Sequence, residues 1–231
     1  MSKIKLIISL FLFVFIAIKL GTALWGMHLI NRTIINLGGA EVFKELATRN
    51  LTKIDISNLS RFELGFISIG LPKGFSDDAL DEFKPRMYSF SDELGNNLVI
   101  SNRLLEDINI SSLVSELRSK NNFEIDFVNN DFDLFLSLIN LRPNEIGIFS
   151  SPTKIKQMLA LLQFRMIYIN NNESEFFYFR INESLEAIQL SEGANKGRVL
   201  IFNNKKWLAE VNYDFLTQQN LHLFLVNLKI K

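Results

Sequence analysis

Residues 176–213 read FFYFRINESLEAIQLSEGANKGRVLIFNNKKWLAEVNY, and this stretch decides the fold of the chain. Short runs rich in Phe, Ile, Val and Leu alternate there with segments of Asn, Ser, Gly and Lys. Runs of this kind, bounded by turn residues, are typical of β-strands that follow one another as an antiparallel meander. The predicted strands are 176–181, 185–190, 198–202 and 207–213.

Further strands are predicted on both sides of this meander. The segment 221–230 is apolar on both faces, which is typical of a strand inside a sheet that helices cover on one face. Its residues are Leu221, Leu223 and Leu225 on one face and Phe224, Val226 and Leu228 on the other. Upstream, alternating apolar and polar residues predict strands at 52–57, 61–71 and 123–128, and a hairpin of 87–92 with 97–101.

Helices are predicted between these strands from apolar residues at helical spacing. The predicted helices lie at 40–48, 77–83 and 111–120, from about Asp131 to the stop at Arg142-Pro143, and after Ser151-Pro152. The Asp131 helix is apolar nearly all round, so we expect it to be buried. Ser151 followed by proline is a strong helix start, with serine as the N-cap. The sequence therefore predicts an α+β domain, with a mixed or mainly antiparallel sheet and three to four packed helices.

The N-terminal 30 residues predict a segment that enters a membrane. Lys3 and Lys5 precede the apolar run Leu6–Ile18, and Leu20–Ile30 continues this run beyond Lys19. A helix of about 20 apolar residues crosses a bilayer. A central lysine costs about 2.5–3.5 kcal/mol, but Lys19 lies near one end. The apolar residues together outweigh the cost of inserting Lys19, because each of them favours insertion by about 0.3–0.6 kcal/mol.

Three interpretations of this segment stay open. It is an uncleaved anchor from about Ile4 to Trp25, a signal peptide cleaved at the small residues Gly21-Thr22-Ala23, or a buried core helix. In the first two cases, the positive-inside rule leaves Lys3 and Lys5 in the cytoplasm and exports the rest of the chain. We favour the anchor.

The predicted organisation follows from that choice. Residues 1–30 form a signal anchor or signal peptide, with membrane contact through residues 4–30. Residues 31–39 form a hinge that ends in Gly38-Gly39, and residues 40–231 form one exported α+β domain. The predicted location is the bacterial inner membrane, crossed once, with the C-terminal domain in the periplasm.

Composition narrows the classes of partner. The chain has 231 residues and equal numbers of basic and acidic side chains, and the 25 basic residues fall to 22 without Lys3, Lys5 and Lys19. Nucleic acid is therefore not an expected partner, since binding to phosphates needs a basic surface. The chain has no cysteine, which excludes disulfides, thiolate catalysis and cysteine-ligated zinc.

Candidate chemical groups are few, and each has a structural explanation. The two histidines, His28 and His222, are too few for a metal site, and His222 lacks the Gly-x-Ser-x-Gly elbow of a hydrolase. The carboxylates Asp126, Asp131 and Asp133 lack the ligand pattern of a calcium loop, and helix capping by Asn130 or Asp131 explains that region better.

Three other groups also have structural explanations. The acidic cluster Asp77, Asp78, Asp81 and Glu82 suits the first turn of a helix. Gly193–Gly197 is expected to be a hairpin turn, and Lys205-Lys206-Trp207 an exposed turn with a core anchor. We therefore predict no catalytic, cofactor-binding or metal-ligating residue, and no cofactor.

The functional prediction follows from topology together with this lack of motifs. We expect a non-enzymatic extracytoplasmic domain that binds another protein, as an accessory subunit of an envelope assembly or as an immunity-type factor. The alternative is an envelope domain that binds a small apolar ligand or a lipid. A hydrolase that uses His222 or the Asp126, Asp131 and Asp133 group is the third candidate.

Overall fold

The predicted meander forms one half of an eight-stranded sheet that has packed layers on both faces. A computed structural model describes residues 3–51, 59–78, 86–105 and 130–231, with the backbone alone at residues 3–12 and 105. The helices are α1 Lys3–Asn36, α2 Asp131–Ile139, α3 Pro152–Tyr168 and α4 Gln218–Val226. Single 3-10 turns lie at Ala40–Val42, Arg103–Leu105 and Pro143–Glu145.

The strands form two sheets. They are β1 Leu46–Thr48, β2 Leu59–Glu63, β3 Ile67–Pro72, β4 Ser76–Asp77, β5 Met87–Ser91, β6 Asn97–Asn102, β7 Glu175–Arg180, β8 Leu185–Ser191, β9 Gly197–Asn203, β10 Lys206–Asp214 and β11 Lys229–Ile230. The large sheet has the order β1-β7-β8-β9-β10-β6-β5-β4, and the small sheet has the order β11-β3-β2. Strand β1 is parallel to β7, and the other described pairs are antiparallel. The α+β prediction with a mixed sheet is confirmed.

Two apolar cores lie on opposite faces of the large sheet because successive side chains of a strand point to opposite faces. In β9, Leu200 and Phe202 belong to a first core that α1, α2 and α3 share. Val199 and Ile201 belong to a second core that α4 and the small sheet share. The chain therefore forms three layers, with helices on one side and a mixed helix and sheet layer on the other.

The structure corrects the prediction of a strand at 221–230. Residues up to Val226 form α4, which Thr217 caps by accepting a hydrogen bond from the Asn220 amide at 3.2 Å. Only Lys229–Ile230 form a strand, paired with β3. Leu221, Phe224 and Leu225 are fully buried, which is helical spacing on one face. The segment was ambiguous because nearly every position in it is apolar.

Three shorter predictions are corrected at the residues that the structure describes. The segment 40–48 is a 3-10 turn followed by β1, because pairing with β7 overrides its helical pattern. The residues Ser76–Asp77 pair with β5 as β4 and do not begin a helix. The predicted strand 61–71 is two strands, β2 and β3, which turn at Gly65 with a positive φ of 82°.

Several local predictions are confirmed. The helix α2 is buried, and Asn130 caps it by accepting a hydrogen bond from the Asp133 amide at 2.9 Å. Ser151 caps α3, with Pro152 as the first helical residue. The hairpin of β5 with β6 and the meander β7 to β10 form as expected. The predicted elements at 52–57, 111–120 and 123–128, and most of the one at 77–83, lie outside the described residues.

Candidate functional site at the α1–α3 helix pair

The long helix α1 has two parts that differ in their surroundings. From Phe13 to Thr22 every residue is exposed. From Ala23 onwards one face of the same helix is buried in the first core, at the positions Ala23, Gly26, Ile30 and Leu37. These positions recur every three, four or seven residues, which is the spacing of one helix face. The boundary between the two parts lies at Thr22 and Ala23.

This helix has the length and apolarity needed to cross a membrane. Among the residues described with side chains, Phe13–Asn36 is long and apolar enough to cross a membrane, and one face of its second part, from Ala23, packs on the domain. Exposed apolar side chains are costly in water and favourable in lipid, and Phe13, Phe15, Ile16 and Ile18 are all exposed. The helix continues unbroken to Asn36, so the predicted hinge at 31–39 retains only Leu37–Gly39 outside the helix.

Contact between α1 and α3 holds the helix on the domain. Ile155, near the start of α3, covers Gly26, where a Cβ atom would collide with its Cγ2. Arg165, near the end of α3, donates a hydrogen bond to the carbonyl oxygen of Val42, beyond the end of α1. The two helices therefore run in the same direction, and the N-terminus of α3 lies beside the exposed part of α1.

Arg165 is a buried cation that joins three segments. Its guanidinium donates to Leu138 O at 2.5 Å and to Val42 O at 2.6 Å, and it lies 4.9 Å from the ring centroid of Phe43. Burial lowers the pKa of Arg165 to about 10, so the side chain stays protonated at neutral pH. Carbonyl oxygens and aromatic rings together stabilise a buried guanidinium. Arg165 thus ties α2, α3 and the segment after α1 together.

An open groove of about 380 Å³ lies beside the part of α1 that packs on the domain. We call it the α1 groove, and its lining includes Asn31 and Ile34 of α1, Phe43, Pro143, Asn144 and Ile146. Ile35 is 72% exposed on the same stretch of helix, where it shares a face with Asn31. The ion pair of Arg142 with Glu45, at 3.1 Å, lies next to this groove. The surface is therefore mainly apolar and carries polar groups.

A second cleft, of about 470 Å³, lies beside the exposed part of α1. We call it the turn cleft because its other wall is the turn Gly147–Ser150 and the start of α3. Ser150 closes the turn, since its amide donates to Gly147 O at 2.9 Å and its Oγ accepts from the Gly147 amide at 3.0 Å. The turn presents Phe149, which is 91% exposed.

A buried ion-pair network lies on the helix-covered face of the large sheet. Arg198 Nε donates to Glu173 Oε1 at 2.5 Å, and its Nη1 lies 3.4 Å from Glu210 Oε1. Arg198 also donates to the carbonyl oxygen of Tyr168, and Arg103 pairs with the second oxygen of Glu210. The network therefore joins β9 and β10 to the end of α3 and to the turn after β6.

The charges of this network stabilise one another. Burial raises the pKa of the Glu173 carboxyl, while hydrogen bonds from Arg198 and the Asn170 amide favour its ionised form. Burial opposes the charge of Arg198 as well, but its bonds to Glu173 and Glu210 outweigh burial and raise its pKa. A pocket of about 170 Å³ beside Arg198 is small and is lined mainly by polar and charged residues. This arrangement is typical of a structural network.

The structure separates the residues that the hydrolase hypothesis would need. His222 lies on α4, not on a strand, with its ring 5.3 Å from that of Phe179 in the second core. Asp131 accepts a hydrogen bond from the Trp207 amide at 3.0 Å, and Asp133 accepts one from Asn130, on the other face of the sheet. Asp126 lies outside the described residues. His222 and the described carboxylates of this group do not form one site.

The other candidate groups have structural roles where they are described. Asp78 accepts hydrogen bonds from Ser89 and Ser91 of β5, whereas Asp81 and Glu82 lie outside the described residues. Gly193 lies in the connection between β8 and β9, and Gly197 is the first residue of β9, as expected of a hairpin turn. Within the described ranges, no group of three His, Asp or Glu residues is placed to hold a metal ion.

The sequence contained a signal for Arg165 that the prediction missed. On α3, Met166 is half-exposed, whereas its neighbour Arg165 is buried. Arg165 stands three residues after Leu162 and seven after Met158, which is the buried face of the helix. A cation at such a position indicates a buried polar contact. The Arg198–Glu173 pair had no such signal, because both residues follow turns.

Comparison of the chain with protein-family models, curated protein sequences and solved structures finds no significant match. We therefore argue function from the contacts, charges and exposed surfaces of the chain itself.

Proposed function

We propose that the chain is a single-pass protein of the bacterial inner membrane, whose α+β domain lies in the periplasm and binds another protein at the α1 groove. The observation that carries this proposal is the continuity of α1. One unbroken helix has an exposed apolar part up to Thr22 and a part from Ala23 whose one face is buried in the domain core. The domain is therefore held by the helix directly and not by a flexible linker.

The orientation follows from the charges next to the apolar part. Lys3 and Lys5 precede it, and positive residues of short flanking segments stay in the cytoplasm. The domain at the other end of α1 is then outside. Trp25, which is exposed, comes just after the boundary at Thr22, where aromatic side chains favour the membrane–water interface.

Rigid attachment supports a role in an assembly. Packing of α1 on α3 and the hydrogen bonds of Arg165 fix the domain relative to the membrane helix. Ile34, which lines the α1 groove, lies 12 residues beyond Thr22, so the groove stands about 18 Å above the exposed apolar part at 1.5 Å per residue. A fixed surface at this height suits the helix of a neighbouring membrane protein, which can extend out of the bilayer alongside α1.

The chemistry of the α1 groove fits a protein partner. Ile34, Phe43 and Ile146 supply apolar area, while Asn31 and Asn144 supply hydrogen-bonding groups. Protein interfaces combine an apolar centre with polar groups around it. The pocket beside Arg198 is smaller than usual ligand sites, and Arg198 is already paired with Glu173 and Glu210. Binding at the α1 groove is therefore better supported than catalysis.

Photo-crosslinking in membranes tests this proposal. A benzophenone amino acid at Ile35 should crosslink the full-length chain to one protein of defined size. The same amino acid at Leu94, which is 87% exposed on the β5–β6 turn, serves as the control and should give no such product. Absence of a protein crosslink at Ile35, or equal products at both positions, would contradict the proposal.

A pair of charge variants locates the partner in the groove. Asn144→Arg places a long cation in the α1 groove and should abolish the Ile35 crosslink. Asn140→Arg is the matched control, since Asn140 is also exposed but does not line the groove. Loss of the crosslink in both variants, or in neither, would place the partner elsewhere.

A further inference from the structure

The turn Gly147–Ser150 presents large apolar side chains away from the domain. Phe149 is 91% exposed and Ile148 is 42% exposed, and two hydrogen bonds between Gly147 and Ser150 hold the turn. A held turn with an exposed phenylalanine at its tip keeps an apolar surface in water unless something covers it.

The position of this turn indicates what covers it. The turn cleft has Ile148 and Phe149 on one wall and the α1 residues Phe15, Ile16 and Leu20 on the other. Those α1 residues belong to the exposed apolar part of the helix. Lys19, which lines the cleft, lies six residues before Trp25, so the cleft extends about 9 Å below Trp25 along the helix. An apolar surface at that level is continuous with the anchor.

Charges surround this surface on the side of the domain. Lys154 and Lys156, in the first turns of α3, are both exposed. Lys19 lines the turn cleft itself. Lysine side chains bury their stems in apolar surroundings while their ammonium groups reach the interface, where anionic head groups attract them. Lys154 and Lys156 follow the apolar turn on the side of the domain, and the long stem of Lys19 can carry its ammonium group from the cleft to the interface.

We propose that the turn Gly147–Ser150 enters the bilayer beside α1 as a second membrane contact, with lipid acyl chains in the turn cleft and Lys154 and Lys156 at the phosphate head groups. This inference rests on the proposed anchoring by α1. It makes the domain a body seated on the membrane, with its orientation fixed by two contacts. The competing occupant of the cleft is a helix of another protein.

Spin labelling of the full-length chain in vesicles tests the inference, and the natural lack of cysteine makes single labels straightforward. The variants are F149C in the turn, F15C on the anchor and L94C on the β5–β6 turn. Each carries a nitroxide in vesicles of phosphatidylethanolamine and phosphatidylglycerol. Collision rates with oxygen, which concentrates in lipid, and with a water-soluble nickel chelate report the surroundings of each label. Phe149 and Leu94 are both highly exposed, so neither change removes packing.

The expected result is the same pattern at positions 15 and 149, with high oxygen and low nickel collision rates, and the reverse pattern at position 94. Lipid surroundings at 15 with aqueous surroundings at 149 would overturn this inference and leave the anchoring intact. Aqueous surroundings at 15 would overturn the anchoring and the inference together. An immobilised label at 149 with low rates for both reagents would place protein in the cleft and also overturn the inference.

Discussion

Gly26 of α1 lies directly against Ile155 of α3, so close that a Cβ atom at position 26 would collide with Cγ2 of Ile155. Gly21, five residues earlier on the same helix, has no neighbouring atom within 4 Å of the equivalent position. One glycine therefore allows the close approach of two helices, and the other lies in the exposed part. This contrast marks where the domain begins on α1.

Gly26→Leu should separate α1 from α3 and lower the stability of the domain. Overfilling a packed contact costs about 1–3 kcal/mol. Gly21→Leu is the matched control, since both changes improve helix propensity equally but only the first meets an obstacle. Thermal unfolding of the full-length chain in detergent should give a lower Tm for Gly26→Leu alone. Equal Tm values would contradict the close contact.

Arg165→Ala should destabilise the domain strongly. The change leaves the carbonyl oxygens of Leu138 and Val42 without their buried donor. Each unsatisfied carbonyl should lower the free energy of unfolding by about 1–3 kcal/mol. Arg180→Ala, which removes an exposed arginine, should change stability by about 0.5 kcal/mol or less. Denaturant unfolding measures both variants. A small effect of Arg165→Ala would show that the carbonyl groups find other partners.

Two truncations test the boundary at Thr22. A chain that lacks residues 1–22 should remain folded, because those residues that are described with side chains have no buried position. A chain that lacks residues 1–37 loses Ile30 and Leu37 from the first core. The burial of each of these side chains contributes about 1.5–3 kcal/mol to the free energy of unfolding. That loss is a large fraction of a domain stability of about 5–15 kcal/mol. Circular dichroism melting curves that coincide for both truncations would refute the boundary.

The intact mass of the membrane-extracted protein distinguishes the anchor from the cleaved signal peptide. The anchor predicts a mass that includes residues 1–23. Cleavage at Ala23 would remove the exposed part and leave Gly26, Ile30 and Leu37 in the core, so the packing of α1 permits either outcome. A mass that corresponds to a chain beginning at Leu24 would contradict the anchor and the membrane contact of the turn.

The sequence predicted the meander well because its information is local. Short polar connections join β7, β8, β9 and β10, so each strand pairs with its sequence neighbour. Asn204 and Lys205, both with positive φ, form the tight turn between β9 and β10. Where pairing is not local, prediction failed. The three residues of β1 gain their strand form from β7, which lies far along the chain.

The candidate site depends on relationships that a sequence pattern does not contain. The apolar run of α1 was visible in the sequence, but its division at Thr22 follows from where α3 packs. Gly26 looked like any other small residue in an apolar segment, and its role requires the opposing Ile155. The exposed Phe149 was also indistinguishable from a core phenylalanine, because position in a turn and exposure are properties of the fold.

His222 should make the domain less stable at mildly acidic pH. Burial, with a smaller contribution from Arg49, lowers the pKa of His222 below its usual value of 6.5. Protons therefore bind the unfolded chain more readily than the folded one. The contribution of neutral His222 to the stability of the domain is present above pH 6.5, and it is lost as the pH falls through the pKa of His222 in the folded state.

Nuclear magnetic resonance can follow this pKa directly, because the chain has only two histidines. The imidazole resonance that disappears in His222→Asn should titrate below pH 6.5, and His28→Asn should leave it unchanged. Arg49→Met should shift the titration of His222 to higher pH by removing a nearby positive charge, but only partly, since burial is the larger cause. A His222 resonance that titrates at the usual pH in the folded chain would show that α4 leaves the ring in water.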